Sequence, residues 1–356
     1  MKNGVIIGIH PDKIGEESYS NKWIEFLLAH GVKTNILDLL APDAMEQVSK
    51  CDGIMWRWAH TPSHKQSAKV ILYSIEHYLK IPVYPDTPTS WHYDEKVAQY
   101  YLFKSLDIQI PNSWVFWDHK QALKWAETTK YPVVWKLSSG AGSSNVLKVK
   151  NKKEAFNLIN RAFTKGIFPY TMNEFKSGGM PTSPKEVEGM LGRLSKAIPY
   201  TWNKEYPPLH PVWWKPEYGY AYFQEFLPAN AFDTRVTIIG NRAFGFRRIN
   251  RQNDFRASGS GNIDFDPSLI DHKCIDIAFK ISKKGKFQSM AYDFLYKNGK
   301  PVVCEISYTF ADWAVYECPG HWDSNLNWIE GHMWPEEAQI EDFLQKAQDY
   351  KEKKLE

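Results

Sequence analysis

The amino-acid sequence predicts a chain of mixed α/β and α+β class, with a small open parallel sheet first and antiparallel hairpins later. Three observations predict it. Strand-like and helix-like apolar patterns alternate over roughly the first eighty-five residues, the rhythm of βαβ units. Two hairpin signals, Gly240-Asn241 and Asn298-Gly299, follow in the second half. At 356 residues the chain is long enough for two or three domains and needs no disulfide or metal staple to fold.

The elements follow in order. Val5 to Ile9 is a short continuous apolar run, as a buried parallel strand should be. Trp23, Ile24, Leu27 and Leu28 recur at helical spacing, and Gly31 stops them. Lys33 to Leu37 and Asp52 to Trp56 read as the next strands. Val70, Ile71, Ile75, Tyr78 and Leu79 form a second helical stripe, closed by Pro82. Tyr84-Pro85-Asp86-Thr87-Pro88 marks a boundary. A helix follows with Val97, Tyr101, Leu102 and Leu106 on one face, then a break at Ile110-Pro111. Pro132 to Leu137 is a strong strand that runs into Ser138-Ser139-Gly140-Ala141-Gly142-Ser143-Ser144. Ala155, Phe156, Ile159, Ala162 and Phe163 make an amphipathic helix.

Residues 166–219 change character, with Gly178-Gly179, many prolines, Trp202, Trp213 and Trp214, and read as an insertion. Tyr220 to Leu227 resumes the regular pattern. Arg235 to Ile239 and Arg242 to Arg248 flank the first hairpin turn; Met290 to Ile306 spans the second. Between them Ile270, Cys274, Ile277, Ala278 and Ile281 predict a helix ending at Lys283-Lys284-Gly285. The tail after Leu344 reads as a charged, solvated helix.

Composition excludes several classes. Hydrophobic residues make up 43% and charged residues 24%, too apolar a balance for a disordered chain. The formal net charge of +3 gives no reason to expect a nucleic-acid partner. No apolar run approaches the length of a membrane span, and the apolar start is too short for a signal peptide. Cys51, Cys274, Cys304 and Cys318 form no CxxC pair. The expectation is a cytoplasmic protein with reduced thiols. The oligomeric state is not readable, and a homodimer is among the options.

Chemistry concentrates in four places. The Gly/Ser loop after a buried strand suits backbone amides that cradle a phosphate, and Lys136 in that strand needs an anion. Neither P-loop nor GxGxxG spacing is present. Asp293 and Glu305 lie on the two strands of one hairpin. A strict two-residue Asn298-Gly299 turn would put them on opposite faces; a three-residue loop, Lys297-Asn298-Gly299, with Gly299 left-handed in a bulge puts them on the same face, where a divalent cation is the natural occupant. Arg247, Arg248, Arg251 and Arg256 cluster beside Asp254 and a Gly/Ser run, a basic patch fit for phosphate or carboxylate or for surface ion pairs. Asp233, shortly after Gln224-Glu225-Phe226-Leu227-Pro228, could serve ribose hydroxyls.

Taken in that order, these pieces resemble the ATP-grasp superfamily, most of all RimK-like amino-acid ligases and D-alanine–D-alanine ligase, over about residues 1–310. The resemblance implies a pre-ATP-grasp parallel-sheet domain (1–86), a first nucleotide-clamping lobe (87–225, with the insertion near 166–219) and a second lobe (226–356) carrying the metal site and a C-terminal extension. It implies ATP and magnesium as cofactors. By motif, Lys96 in Tyr93-Asp94-Glu95-Lys96 and Lys136 are the phosphate lysines. Ser139, Gly140, Gly142, Ser143 and Ser144 belong to the loop over the phosphates. Gln224, Glu225, Phe226 and Leu227 form the adenine hinge, and Asp233 in Asp233-Thr234-Arg235-Val236 is the ribose acid. Arg256, with Arg248 and Lys136, supplies catalytic charge. Asp293, Glu305 and Ser307 are the metal ligands. The family pattern there is Glu-x-Asn; Glu305-Ile306-Ser307 replaces the amide with a poorer oxygen donor, and the glycine-proline turn that usually follows is absent.

The implied activity is ATP-dependent ligation of a small-molecule carboxylate to an amine through an acyl phosphate, on a sugar acid or an amino acid. A small-molecule kinase and a non-catalytic nucleotide-binding protein are the alternatives. Trp313, Trp322, Trp328 and Trp334 either stack on carbohydrate or pack the chain's own core. His321 and His332 receive no role.

Overall fold

The computed structural model describes residues 4–12, 18–140, 145–169, 216–250 and 261–355. A run of apolar strands near the N-terminus builds a four-stranded parallel sheet in the order β2-β1-β3-β4, from β1 (Ile6–Ile9), β2 (Lys33–Ile36), β3 (Gly53–Met55) and β4 (Val83–Tyr84). Helices α1 (Tyr19–Ala29), α2 (Ala44–Val48) and α3 (Pro62–Ser74) connect the strands. Ser18 caps α1, its hydroxyl accepting from the Asn21 amide. The stripe expected on α3 is only partly the buried one. Ala68, Leu72 and Ile75 face the core, whereas Val70 and Tyr78 are exposed, because a π-turn at Ile75–Leu79 shifts the phase of the last residues.

After α4 (Thr87–Ser90) and α5 (Lys96–Ser105), a second sheet forms from β5 (Ser113–Phe116), β6 (Val133–Lys136), β7 (Val146–Val149) and β8 (Ala221–Glu225), antiparallel in the order β5-β8-β6-β7. Helices α6 (His119–Thr128) and α7 (Lys152–Ala162) cover one face, with Ala122, Ala126, Ala155, Ile159 and Ala162 against Trp135 and Phe223.

The third sheet is built on β9 (Phe232–Ile239), β10 (Arg242–Ile249), β12 (Ser289–Lys297) and β13 (Lys300–Ser307), extended by β14 (Gly320–Asp323) and β15 (Trp328–Glu330), with β11 (Ile263–Asp264) on the β10 edge. Helix α8 (His272–Gly285) packs Cys274, Ile275, Ala278 and Ile281 onto it. Its left-handed cap is Lys286, with φ of 56°, rather than the glycine before it. Gly285 is needed for space, since a Cβ there would strike the Phe287 ring. Helix α9 (Asp312–Tyr316) follows β13.

The tail departs from its solvated expectation. Helix α10 (Pro335–Leu355) returns to the first sheet, where Ile340, Phe343, Leu344 and Ala347 bury against Ile7, Ile9, Trp23, Leu27, Met55 and Tyr84. The surface beyond Leu344 is charged, but Ala347 is fully buried and Tyr350 packs on the core. Gly53 gives this helix room, because a Cβ there would meet Phe343 and Ala347. Among the described residues no helix is long and apolar enough to cross a membrane.

Candidate active site

Strand β6 delivers Lys136 from a fully apolar stretch, Val133-Val134-Trp135, to the rim of the second sheet, with the side chain 5% exposed overall. Its ammonium donates to Cys304 Sγ at 3.7 Å. Burial favours loss of its proton, but Cys304, Tyr222 and Glu305 oppose this and the net direction is upward, so Lys136 is held as a cation. Burial pushes the Cys304 thiol up as well.

Lys96 opens α5 and is equally buried. Its Nζ donates to the Gly140 carbonyl at 2.6 Å and lies 3.2 Å from Glu305 Oε1. Burial again pulls the ammonium down, and Glu305 and Asp94 hold it above its ordinary value. The loop root is shaped for this contact. Gly140 has φ of 129°, its amide donates to Asp94 Oδ1 at 2.7 Å, and a Cβ at this position would collide with Asn145. Thus the two lysines, 40 positions apart in sequence, meet neighbouring residues at the β13 end of the third sheet, Lys96 at Glu305 and Lys136 at Cys304.

The hairpin that carries Asp293 and Glu305 corrects the expected turn. Lys297 pairs with Lys300, and Asn298 and Gly299 have φ of 52° and 74°, so the turn is the strict two-residue kind. The carboxylates nevertheless share a face, because the register shifts between Asp293↔Glu305 and Phe294↔Val303 and leaves Cys304 as the extra residue of a bulge. The bulge lies at the Asp293 end of the hairpin, not at its turn.

On the same face, β9 sets Asp233 opposite Arg248 of β10, and Arg235 opposite Asp293 of β12. Arg248 donates to Asp233 through Nε at 2.7 Å and Nη2 at 2.6 Å, and its Nη2 also lies 2.7 Å from Asp293 Oδ2. Arg235 holds Asp293 in a fork, with Nε to Oδ1 at 2.7 Å and Nη2 to Oδ2 at 2.9 Å. Burial pushes the Asp293 carboxyl up, but the two guanidiniums outweigh it and hold it well below the usual carboxylate range. Asp233 moves the other way, because burial and the neighbouring Asp293 outweigh Arg248.

Between the second and third sheets Lys136, Asp233, Arg248, Asp293, Cys304 and Glu305 line a cavity of about 140 Å³, together with Val134, Val146, Leu295 and the strand end Gln224 to Leu227; Lys96 and Arg235 stand behind this lining. Glu225 is fixed there by Lys297 at 2.6 Å and by the Asn112 amide at 3.1 Å. The cavity is narrower than the roughly 300–1,000 Å³ of common ligand pockets. Apolar walls, an extended strand end and a charged floor are the kinds of group that an adenine nucleotide can use. Asp293 and Glu305 are the right donor pair for a hard cation, but both oxygens of Asp293 are taken by guanidinium.

Other expected residues fall elsewhere. The Ser307 hydroxyl donates to the Thr309 carbonyl at 2.7 Å and accepts from its amide at 3.2 Å, so it closes a turn instead of joining Asp293 and Glu305. Ser139 faces away from the cavity, its amide and hydroxyl held by Glu217. Arg247 points to the opposite face, over the Phe232 ring at 4.4 Å. Gly142, Ser143, Ser144, Arg251 and Arg256, and the tryptophans Trp202, Trp213 and Trp214, lie outside the described residues. In the tail Trp322 is core, Trp334 stacks on Tyr316 at 4.1 Å, and Trp313 and Trp328 are exposed. His332 bonds the Tyr316 carbonyl at 2.6 Å. Arg235 and Cys304 received no expected role. Arg235 was findable, since it stands two residues from Asp233 and therefore on the same strand face.

Comparisons place the fold. No family model matches the chain, and no curated protein matches it in sequence. Solved structures do. The chain is similar to a RimK domain ATP-grasp protein of Sphaerobacter thermophilus, with 14% identity and a TM-score of 0.53 over 96% of this chain and 100% of that one. It is similar to D-alanine–D-alanine ligase of Bacillus anthracis complexed with ATP, with 12% identity and a TM-score of 0.55 over 99% of both chains. It is also similar to the ATP-grasp ligase PsnB complexed with a minimal precursor, with 12% identity and a TM-score of 0.56 over 97% of this chain and 99% of that one. The chain has the ATP-grasp fold.

Proposed function

We propose that this chain is an ATP-dependent carboxylate–amine ligase that forms an amide through an acyl phosphate. One observation carries the reading: Lys96, 3.2 Å from Glu305, and Lys136, bonded to the neighbouring Cys304, bring two ammoniums from the second sheet and its leading helix to the same strand end of the Asp293 hairpin. A fold alone does not assign a reaction, and this convergence of charge is what a phosphoryl group requires. ATP would place its base along Gln224 to Leu227, its ribose toward Asp233 and its phosphates among the four cations. Magnesium, held by Asp293 and Glu305, would neutralise phosphate oxygens. For that Arg235 and Arg248 must exchange part of their hold on Asp293 for phosphate, which is a natural trade between two anions.

The protein's own contribution is placement and charge. Lys96 and Lys136 are kept protonated by their surroundings, so they offer positive charge at the transferring phosphoryl without a proton being lost. No side-chain nucleophile is needed: the substrate carboxylate attacks the γ-phosphate, ADP leaves, and the amine then displaces phosphate from the acyl phosphate. Arg256 joins this charge set as a proposal from the sequence. The acid is a sugar acid or an amino acid. The test is ADP release with acids and amines supplied singly and together; release that needs both supports the ligase, and release with an alcohol alone replaces it with the kinase.

The capture of Asp293 by two arginines specifically favours a second reading, a nucleotide-binding protein that does not turn over. ATP hydrolysis measured with and without magnesium separates the two readings, since this one predicts binding with no product in either condition.

A further inference from the structure

A second cavity, of about 800 Å³, lies between α3, the start of α5 and the residues leading into β8. It shares a wall with the nucleotide cleft: Glu95 lines it, and the next residue, Lys96, reaches Glu305. Ser138 and Ser139, the root of the Gly/Ser loop, also line it. Its volume is that of a site for an organic molecule rather than for an ion.

Two features of the lining define a ligand class. On one side stands an aromatic wall whose members are open to solvent: Tyr101 is 44% exposed, Trp117 59% and Tyr218 70%. The wall is ordered, with the Trp117 indole donating to the Tyr101 hydroxyl at 2.6 Å and its ring 5.9 Å from that of Tyr220. Exposed rings gathered in one concave place mark a contact surface. Opposite stand Lys65 and Lys69, one helical turn apart on α3, and Glu95, which lies 3.2 Å and 3.4 Å from them and accepts from Ser138 Oγ at 3.2 Å. The Glu217 carboxylate accepts from the Ser138 and Ser139 amides at 2.9 Å and 3.1 Å. Among the described lining residues two cations face two carboxylates, so a charged ligand finds no excess of opposite charge there. A neutral ligand rich in hydroxyls uses both: each hydroxyl donates to a carboxylate and accepts from an ammonium, while its C–H faces lie on the rings.

We infer that this cavity binds a neutral pyranose unit. That the sugar belongs to the ligase substrate, with its reacting end reaching across Lys96 into the cleft, rests on the ligase reading; the binding itself does not.

Saturation-transfer NMR on the full chain tests it, with D-glucose, D-galactose, N-acetyl-D-glucosamine and maltotriose as probes at millimolar concentration. Ring-proton signals from at least one probe, lost in both Trp117→Ala and Tyr218→Ser, are the expected result. Tyr218 is exposed, so its substitution leaves folding intact, and a melting curve verifies this for both variants. Absence of signal from all four probes, or signals that persist in both variants, overturns the inference. ADP release with acid and amine is read separately: sugar binding without such turnover sinks the ligase and leaves the cavity assignment standing, and the reverse outcome does the opposite.

Discussion

Asp293→Asn perturbs fold and function together, and the structure separates the two. The carboxylate sits in a largely buried position and takes three charge-assisted contacts within 3 Å, two from Arg235 and one from Arg248. Asparagine keeps the shape but leaves two guanidiniums in the cluster with only Asp233 to answer them. Removing one partner of a buried ion pair costs about 3–5 kcal/mol. Taking about 3 kcal/mol for a site that is not fully sealed, and 2–4 °C per kcal/mol for a unit of 150–250 residues, the variant should melt about 6–12 °C lower near pH 7. Asp293 is held below its ordinary range, so its contribution is fully present above the unfolded value near 3.9 and fades as the pH falls further. The deficit should therefore shrink in acid. Arg235 holds Asp293 through both Nε and Nη2, whereas Arg248 also has Asp233. The double variant Asp293→Asn with Arg235→Met should accordingly recover at least a third of the lost melting temperature. Differential scanning calorimetry of the parent, the single and the double variant, with ADP release beside it, reads both effects. A single variant within 2 °C of the parent, or a double variant less stable than the single, refutes the account of the cluster. A double variant restored in stability yet inactive isolates the role of the acid in catalysis.

Three further outcomes follow from particular contacts. Glu336 is fully buried at the start of α10, and burial, with Asp312 nearby, pushes it up to about 8. Its contribution is intact below an unfolded value of about 4.3 and is lost as the pH rises toward 8, so Glu336→Gln should melt above the parent at pH 8 and the gap should narrow toward pH 5; an equal gap at both pH values defeats the explanation. Gly140→Ala forces a left-side backbone angle on a residue with a Cβ and drives it into Asn145, so the Lys96 acceptor shifts; titration with ATP should show at least tenfold weaker binding, and an unchanged affinity argues against the loop root as a determinant. Phe343→Ala empties the junction of α10 and the first sheet, at a cost of about 3–5 kcal/mol by chemical denaturation; a loss under 1 kcal/mol means that the helix is not integral.

What the sequence disclosed depended on whether the signal was local. β2, Lys33-Thr34-Asn35-Ile36, is a half-exposed edge strand legible only from its place in the βαβ rhythm, and β4, two residues long, was not legible, whereas β1 and β3 were legible because they run apolar and are buried. The strand before the Gly/Ser loop was legible for the same reason, with Lys136 standing out against it. β5 and α6 were missed. Ser113–Phe116 is too short to show a period, and α6 buries only two alanines, Ala122 and Ala126, which carry little hydrophobic contrast. The C-terminal helix misled for a different reason. Past Leu344 its residues are mostly charged, and a single small contact, Ala347, marks the buried side. Tertiary packing chose that side, and composition could not.

The Asp293 hairpin shows where inference from chemistry outran inference from local geometry. Turn rules alone favoured Asn298-Gly299 as a two-residue loop, and with regular pairing from that turn the carboxylates fall on opposite faces. The requirement that two acids meet argued for an odd residue somewhere, and it was assigned to the loop. In the structure the turn rule holds and the odd residue is Cys304, twelve residues' worth of hairpin being free to absorb it at any point between Asp293 and Glu305. A bulge at the far end has a consequence that a wide loop lacks. It swings Cys304 toward Lys136 and sets Glu305 within reach of Lys96, so one extra residue both aligns the acids and brings the third sheet's edge against the second sheet's lysines. Deleting Cys304 leaves Phe294 paired with Val303 and Asp293 with Glu305, so the acids stay aligned, but it removes the irregularity that turns the strand edge toward Lys136 and Lys96 and should weaken ATP binding, whereas Cys304→Ser keeps the bulge and should keep nucleotide binding. If the deletion binds ATP as the parent does, the bulge is not what brings the two lysines to the acids.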